Sequence, residues 1–297
     1  MKLYAPKYYK DFKCIADKCT HSCCIGWEID VDKATFKKYS HLKNSYGNEI
    51  KKSIEKVPVP HFKLQDNDRC PHLDENGLCK IIINCGEEYL CQICREHPRF
   101  YNYTNYGKEV GLGLSCPEAC RIILSSDNYD EITEIAEVSG ETEKIDFDAT
   151  KCRKDIYSIL KNKALSYNER LKLIYKSYNA SLSILPDSKF VKRLEKLEYL
   201  DNSHKELFLN YSSCLDTEAE LDKVLAYLIY RHCTEAMDEN EHRISLIFCL
   251  LCERLLASMI KNNKDTDIIT LATILSEEIE YSEENTEAIR SLIEEAI

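Results

Sequence analysis

Sixteen cysteines, unevenly distributed, are the feature that most restricts how this 297-residue chain can fold. Eleven of them lie between Cys14 and Cys120, and the others are scattered through the second half of the chain. The opening sequence MKLYAPKYYKDFKC lacks the apolar segment of a secretory signal, so we expect a cytoplasmic protein. Thiols stay reduced in that compartment and disulfides are rare there, so the clustered cysteines indicate a bound metal.

The composition is that of a globular, helix-rich protein. Hydrophobic residues make up 44% and charged residues 31% of the chain, which contains only eight glycines and seven prolines. Few glycines and prolines favour long helices over a turn-rich sandwich. The net charge of −11, with no basic stripe, argues against nucleic-acid binding. The longest apolar run, ISLIFCLLC, is shorter than the roughly 18 residues of a membrane span, so we predict no span.

Apolar residues recur at helical spacing in the second half of the chain. LKLIYKSYNASLSIL, AELDKVLAYLIYRHC and SEENTEAIRSLIEEAI each predict an amphipathic helix, and HRISLIFCLLCERLLASMI predicts a helix buried in a bundle. The predicted fold class is therefore mainly α. We expect an irregular cysteine-rich metal-binding module over residues 1–127 and a helical bundle over 128–297, packed as one compact unit.

The clustered cysteines form two groups. The first comprises Cys14, Cys19, Cys23 and Cys24, and the second comprises Cys70, Cys79, Cys85, Cys91, Cys94, Cys116 and Cys120. Cys91 and Cys94 form a Cys-x2-Cys pair, which is typical of half a metal site. The other spacings are less regular than zinc knuckles, which favours an iron–sulfur cluster slightly over zinc. Because neighbouring Cys23 and Cys24 are not expected to bind one ion together, the first group should share its metal with residues 70–116.

Other candidate metal ligands have a structural explanation. Cys249 and Cys252 also form a Cys-x2-Cys pair, but they lie in the most apolar predicted helix and are expected to be core residues, as are Cys214 and Cys233. Four histidines lie among the clustered cysteines and could bind metal, although a surface or structural role is favoured for each of them: His21, His61, His72 and His97.

Several motifs resemble the flagellin lysine-N-methylase family. They are FKCIADKCTHSCCIGWEIDVD, RCPHLDENGLCKI, CREHPRF and LGLSCPEACRIIL, and VLAYLIYRHCTEAMDENEHRISLIF resembles the family's C-terminal helical part. The resemblance implies a cytoplasmic enzyme that transfers methyl groups from S-adenosylmethionine to lysines of flagellin or another protein and holds a [4Fe–4S] cluster. The implied metal ligands are Cys14, Cys19, Cys23, Cys24, Cys70, Cys79, Cys94 and Cys116. Cys85, Cys91 and Cys120 fall outside the family pattern.

Lysine methylation requires a neutral amine, although the pKa of lysine is about 10.4. A desolvated pocket or a base must therefore remove a proton. Three tyrosines could form aromatic walls around an alkylammonium, with a strand or core role as the alternative: Tyr101, Tyr103 and Tyr106. Arg95, Arg99 and Glu118 flank family cysteines and could bind the cofactor's carboxylate and amine, with a purely structural pairing among them as the alternative.

The sequence does not identify catalytic residues. It contains neither a glycine-rich Rossmann signature nor the Cys-x3-Cys-x2-Cys triad of radical enzymes. A non-catalytic zinc- or iron-chelating module is therefore the alternative function.

Overall fold

The computed structural model describes residues 1–142, 145–180, 188–211 and 220–297. It divides into a cysteine unit, Lys13–Pro98, and a helical unit that combines Met1–Phe12 with Arg99–Ile297. These boundaries differ from the 127/128 boundary expected from sequence. The physical reason is that Leu112, Leu114 and Ile123 bury their side chains in the core of the helical unit.

Within the described residues, the strands are β1 (Lys2–Pro6), β2 (Ile54–Glu55), β3 (His61–Phe62), β4 (Arg99–Thr104), β5 (Gly107–Leu112) and β6 (Ile132–Glu137). The α-helices are α1 (Lys33–His41), α2 (Ser45–Lys52), α3 (Lys80–Cys85), α4 (Gln92–Glu96), α5 (Pro117–Ser125), α6 (Ala149–Leu160), α7 (Tyr167–Ser177), α8 (Ser188–Glu195), α9 (Lys205–Leu209), α10 (Asp222–His232), α11 (Glu239–Asn262), α12 (Ile268–Leu275) and α13 (Glu283–Glu294). The prediction of a mainly α protein is confirmed.

The helical unit also contains a four-stranded sheet with the strand order β4-β5-β1-β6. Strands β4 and β5 form a hairpin that pairs Thr104 with Gly107, and the Thr104 hydroxyl donates a hydrogen bond to the Gly107 carbonyl at 2.8 Å. β1 runs parallel to β5 and antiparallel to β6. A Cβ atom at Gly107 would lie 2.5 Å from the Lys2 carbonyl oxygen, so glycine permits the close approach of β1.

Helix α11 forms the centre of the bundle. The Asp238 side chain accepts a hydrogen bond from the Glu241 backbone N–H and caps its first turn. Nearly every residue from His242 to Met259 is buried, which confirms the buried helix predicted from its apolar sequence. α10, α12 and α13 pack against it. Cys233, Cys249 and Cys252 are core residues, as predicted, whereas Cys214 lies outside the described residues.

The cysteine unit consists of short helices, two-residue strands and turns around a smaller core. That core is built from Ile29, Val31, Tyr39, Tyr46, Ile50, Phe62, Cys70, Leu73, Ile81 and Cys91. The unit matches the irregular structure expected from sequence, and its binding of metal stays a prediction. In the described ranges, no helix is both long and apolar enough to cross a membrane.

Candidate functional site

The two cysteine groups meet inside the cysteine unit where residues 24–26 run antiparallel to residues 68–70. The Cys70 N–H donates to the Cys24 carbonyl at 2.8 Å, and the Gly26 N–H donates to the Asp68 carbonyl at 3.0 Å. Gly26 has a φ of +83°, a conformation that glycine adopts without strain. This pairing places Cys24 beside Cys70, as a shared metal site would require.

A tight turn then returns the chain from Cys70 to Cys79. Leu73 and Cys79 form an antiparallel bridge, and the Asp74 carboxylate accepts hydrogen bonds from the N–H groups of Asn76 at 2.9 Å and Leu78 at 2.8 Å. An aspartate that bonds to the following backbone is a common way to stabilise such a turn. The turn brings Cys79 back to the core that contains Cys70.

Helix α4 carries Cys94 and begins directly after Cys91. The N–H of Gln92, its first residue, donates to the Asp32 carboxylate at 2.9 Å. The Tyr39 hydroxyl donates to the Tyr89 carbonyl at 2.7 Å and lies 3.6 Å from the Cys91 Sγ. These contacts fix Cys91 in the core of the unit, where its side chain is fully buried.

Five thiols of the cysteine unit lie near enough to influence one another's ionisation. This thiol cluster comprises Cys24, Cys70, Cys79, Cys91 and Cys94. Burial raises the pKa of Cys70 to about 12 and also raises the pKa of Cys79. A hydrogen bond to Cys91, together with burial, raises the pKa of Cys94 far above its ordinary value.

The other two thiols of the cluster ionise more readily. A hydrogen bond from Cys23 lowers the pKa of Cys24 to about 7 against the opposing effect of burial, and Ser22 and the Arg69 charge lower it further. A hydrogen bond from Cys94 likewise lowers the pKa of Cys91. A metal would have to displace protons from the remaining thiols, which is the usual coupling between metal binding and deprotonation.

The thiol cluster supplies only sulfur donors, which both zinc and iron–sulfur clusters accept. In the described part of the chain, no three His, Cys, Asp or Glu side chains are arranged to hold one metal ion. Cys70 and Cys91 are buried and the other three thiols are half-buried, so the donors face an apolar core, and the identity of the metal stays a prediction.

The other four predicted ligands are not members of the thiol cluster, although Cys23 forms a hydrogen bond with Cys24. Cys14 and Cys23 are exposed and Cys19 is half-buried in the cysteine unit, whereas Cys116 directly precedes α5 in the helical unit. The spacing of Cys91 and Cys94 predicted half a metal site, whereas the family pattern left Cys91 out of the implied ligand set. Whether each of these cysteines binds metal stays a prediction.

The other cysteines and the histidines with clear partners have structural roles. The Cys120 thiol is buried in the helical core and donates to the Ile269 carbonyl at 3.9 Å. Cys85 accepts a hydrogen bond from the Asn44 amide at 3.9 Å. His72 uses both ring nitrogens, with the Tyr46 hydroxyl at 2.8 Å and the Ser53 hydroxyl at 2.9 Å, which confirms the expected structural role.

The predicted aromatic walls have separate surroundings. Tyr101 and Tyr103 do lie beside an alkylammonium, because the Nζ of Lys108 is 4.0 and 5.0 Å from their ring centroids. Tyr106 instead donates its hydroxyl hydrogen bond to Glu109 inside the helical unit. The first two rings therefore pack against a lysine of the same chain.

The predicted cofactor-binding residues each have a local partner. Arg95, in the cysteine unit, donates to the Leu90 carbonyl at 2.9 Å. Arg99, in the helical unit, donates to the Tyr9 hydroxyl at 2.9 Å. Glu118 accepts two hydrogen bonds of 2.7 Å from Arg121, and these bonds lower its pKa. Their role in cofactor binding stays a prediction.

A buried polar network supports the LGLSC segment that precedes Cys116. The Tyr227 hydroxyl accepts a hydrogen bond from the Leu114 N–H at 3.2 Å and donates to Glu280 at 2.9 Å. His232 lies 3.0 Å from the same Glu280 oxygen. Glu280 comes from a π-helical segment, Ser276–Glu280, and such segments often occur at functional sites. Tyr227 and His232 lie in a family-like stretch of the sequence, but no local pattern links them to Glu280, so sequence reasoning missed the network.

The chain is similar to proteins from Salmonella. It is 33% identical over 129 residues to the flagellar biosynthetic protein FliU of Salmonella muenchen. The aligned region covers 40% of this chain and 75% of that protein. It is 29% identical over 145 residues to the lysine-N-methylases of Salmonella choleraesuis and Salmonella typhimurium, which covers 43% of this chain. The matched region spans 34% of each lysine-N-methylase.

No family model and no solved structure matches the chain. The similarity to FliU nonetheless covers three quarters of that protein at 33% identity. Together with the lysine-N-methylase matches, it confirms the resemblance that the cysteine motifs indicated. The chain belongs to the flagellin lysine-N-methylase family, which includes FliU.

Proposed function

We propose that this protein is an S-adenosylmethionine-dependent protein lysine N-methyltransferase acting on flagellin or another lysine-bearing protein, with a [4Fe–4S] cluster in its cysteine unit. The observation that carries the proposal is the similarity to lysine-N-methylases in a chain that brings four of its eight family cysteines into one thiol cluster. The flagellar name of another relative supports a flagellin substrate.

The chain's own residues account for how the cluster would be held. Four of the five thiols in the thiol cluster are enough for [4Fe–4S] ligation. Asp32 and Tyr39 position Cys91 and α4, and the 24–26 and 68–70 pairing positions Cys24 and Cys70. When bound, the cluster would cross-link these short segments and supply a redox-active iron centre. S-adenosylmethionine would supply the methyl group that the substrate amine accepts.

The test combines metal analysis with methyl transfer under anaerobic conditions. We expect iron and sulfide in the purified protein, absorbance near the iron–sulfur charge-transfer bands, and transfer of label from S-adenosylmethionine to flagellin. The variants Cys24→Ser and Cys70→Ser should lose iron and transfer together. Cys152→Ser is the matched control, since Cys152 is a half-buried cysteine of the helical unit outside the thiol cluster.

Two results would count against the proposal in different ways. Colourless protein that contains stoichiometric zinc would show that the metal is not an iron–sulfur cluster. Reversible metal release without any methyl transfer to flagellin or lysate proteins would favour the non-catalytic chelating module, which the all-thiol donor set also suits.

A further inference from the structure

An open cavity of about 730 Å³ lies in the cysteine unit. Its wall includes Arg69 and Lys80, which are the chain neighbours of Cys70 and Cys79. Leu73, also in the wall, belongs to the same buried core as Cys70. Cavities of about 300 to 1,000 Å³ are the usual size for small-molecule and cofactor sites.

The cavity places charges of both signs close together. Arg69 and Lys80 supply two cations, and Glu75 and Asp74 supply two carboxylates. One oxygen of the Asp74 carboxylate already accepts the two backbone hydrogen bonds of the 74–78 turn, which leaves the other oxygen to bind a ligand. Glu75 is exposed and has no such role in the described turn. A zwitterion with neighbouring carboxylate and ammonium groups matches this pattern.

The two cations are held by the backbone that carries the thiol cluster. Arg69 donates a hydrogen bond to the Asp74 carbonyl, which uses one of the five N–H donors of a guanidinium. The Lys80 N–H donates to the His72 carbonyl at 2.7 Å, and this bond fixes the start of α3. The backbone at Lys80 is therefore held in place, and the Arg69 guanidinium is itself partly ordered, which lowers the entropy cost of binding an anion there.

The geometry points to this cavity as the binding site for the α-amino-acid end of S-adenosylmethionine. Arg69 and Lys80 would bind the carboxylate, Glu75 would bind the ammonium group, and the cofactor would lie next to the thiol cluster. This inference rests on the proposed function, since it names where that function's cofactor binds. It differs from the sequence-based prediction of Arg95, Arg99 and Glu118.

The test measures binding to anaerobically purified full-length protein by calorimetry, with two ligands. S-adenosylmethionine carries the amino-acid end, and methylthioadenosine lacks it. Arg69→Gln, Lys80→Gln and Glu75→Gln should each weaken S-adenosylmethionine binding by about tenfold or more, the effect of losing one charge-assisted hydrogen bond. The affinity for methylthioadenosine should not change. Lys63→Gln, at an exposed lysine of the same unit outside the cavity, is the matched control and should bind both ligands normally.

Three results would overturn the inference. The first is an unchanged affinity for S-adenosylmethionine in the cavity variants. The second is an equal loss of affinity for both ligands in all three variants. The third is a loss of S-adenosylmethionine affinity in Arg95→Gln instead of the cavity variants. The proposed function fails separately. If S-adenosylmethionine binds in the cavity but no methyl transfer occurs, the inference stands and the proposed enzyme function is wrong. If methyl transfer occurs and the cavity variants keep the wild-type KM for S-adenosylmethionine, the enzyme function stands and the inference is wrong.

Discussion

The Asp32 carboxylate accepts a hydrogen bond from the Gln92 N–H at 2.9 Å with one oxygen and from the Thr35 N–H at 3.0 Å with the other. One side chain therefore caps both α1 and α4, although the two helices lie far apart in the sequence. Burial alone would raise the pKa of Asp32, but the hydrogen bonds from Gln92 and Thr35 lower it, so the capping group is ionised.

Asp32→Ala should destabilise the cysteine unit by about 1–2 kcal/mol, because it removes two helix caps at once. Since α4 carries Cys94, iron content should fall as well. Asp32→Asn retains a side-chain acceptor and should have a smaller effect. The measurements are urea unfolding and iron per protein, with Asp30→Ala at an exposed position as the control. Equal stability of Asp32→Ala and Asp30→Ala would contradict the double-capping role.

The pairing of Cys24 with Cys70 predicts that neither cysteine group binds metal alone. Cys24→Ser and Cys70→Ser should each abolish stable loading, because each removes a thiol from the same cluster. The double variant should be no worse than either single variant. Iron and sulfide analysis of the anaerobic proteins checks this. Full metal loading of a peptide that contains only residues 1–40 would show that the first group is self-sufficient.

A buried ion pair in the helical unit should be intolerant of single substitutions. Arg153 binds both carboxylate oxygens of Glu109, at 2.6 and 2.7 Å, and the two side chains are 3% and 0% exposed. Arg153→Met leaves a buried carboxylate without its cation and should cost about 3–5 kcal/mol in the free energy of unfolding.

The double variant Glu109→Leu, Arg153→Met should lose much less free energy of unfolding than the sum of the losses in the two single variants. The reason is that the double variant leaves neither buried charge without its partner. The exposed pair of Lys2 and Glu134 is the control, and Lys2→Ala should cost less than about 1 kcal/mol. Additive costs for the buried pair would contradict a direct Glu109–Arg153 interaction.

Acid should weaken the helical unit through His242. This residue is 2% exposed and packs against the rings of Phe147 and Tyr178, and burial lowers its pKa to about 4. The unfolded chain, with a histidine pKa near 6.5, binds the proton more readily. The stabilising contribution of neutral His242 is therefore complete above pH 6.5. It is lost as the pH falls towards 4, which lowers the free energy of unfolding by roughly 2–3 kcal/mol.

The pH dependence of urea unfolding for wild type and His242→Phe checks this sign. The difference between the two proteins should change between pH 6.5 and 4 and stay constant above pH 7. His204→Gln provides the opposite case, because a hydrogen bond to Glu278 raises the pKa of His204 and its contribution is largest at acid pH. A difference for His242→Phe that did not vary with pH would contradict the burial of a neutral histidine.

The sequence by itself determined four helices of the bundle and the elements of the metal prediction. Apolar periodicity located α7, α10, α11 and α13, because a helix in a bundle must bury one face or all of them. The scarcity of glycine and proline indicated long helices, and the uneven cysteines marked a segment that lacks a large core of its own. The family motifs were local enough in sequence to be recognised directly.

Only the tertiary structure decided which groups meet. The parallel pairing of β1 with β5 joins residues about a hundred positions apart, and neither short strand has a local signal that specifies its partner. The thiol cluster likewise depends on the pairing of residues 24–26 with 68–70 and on the hydrogen bond from Gln92 to Asp32. Cys91 joined that cluster and Cys120 entered the helical core for the same reason: a thiol's role depends on the burial and the neighbours that the fold provides.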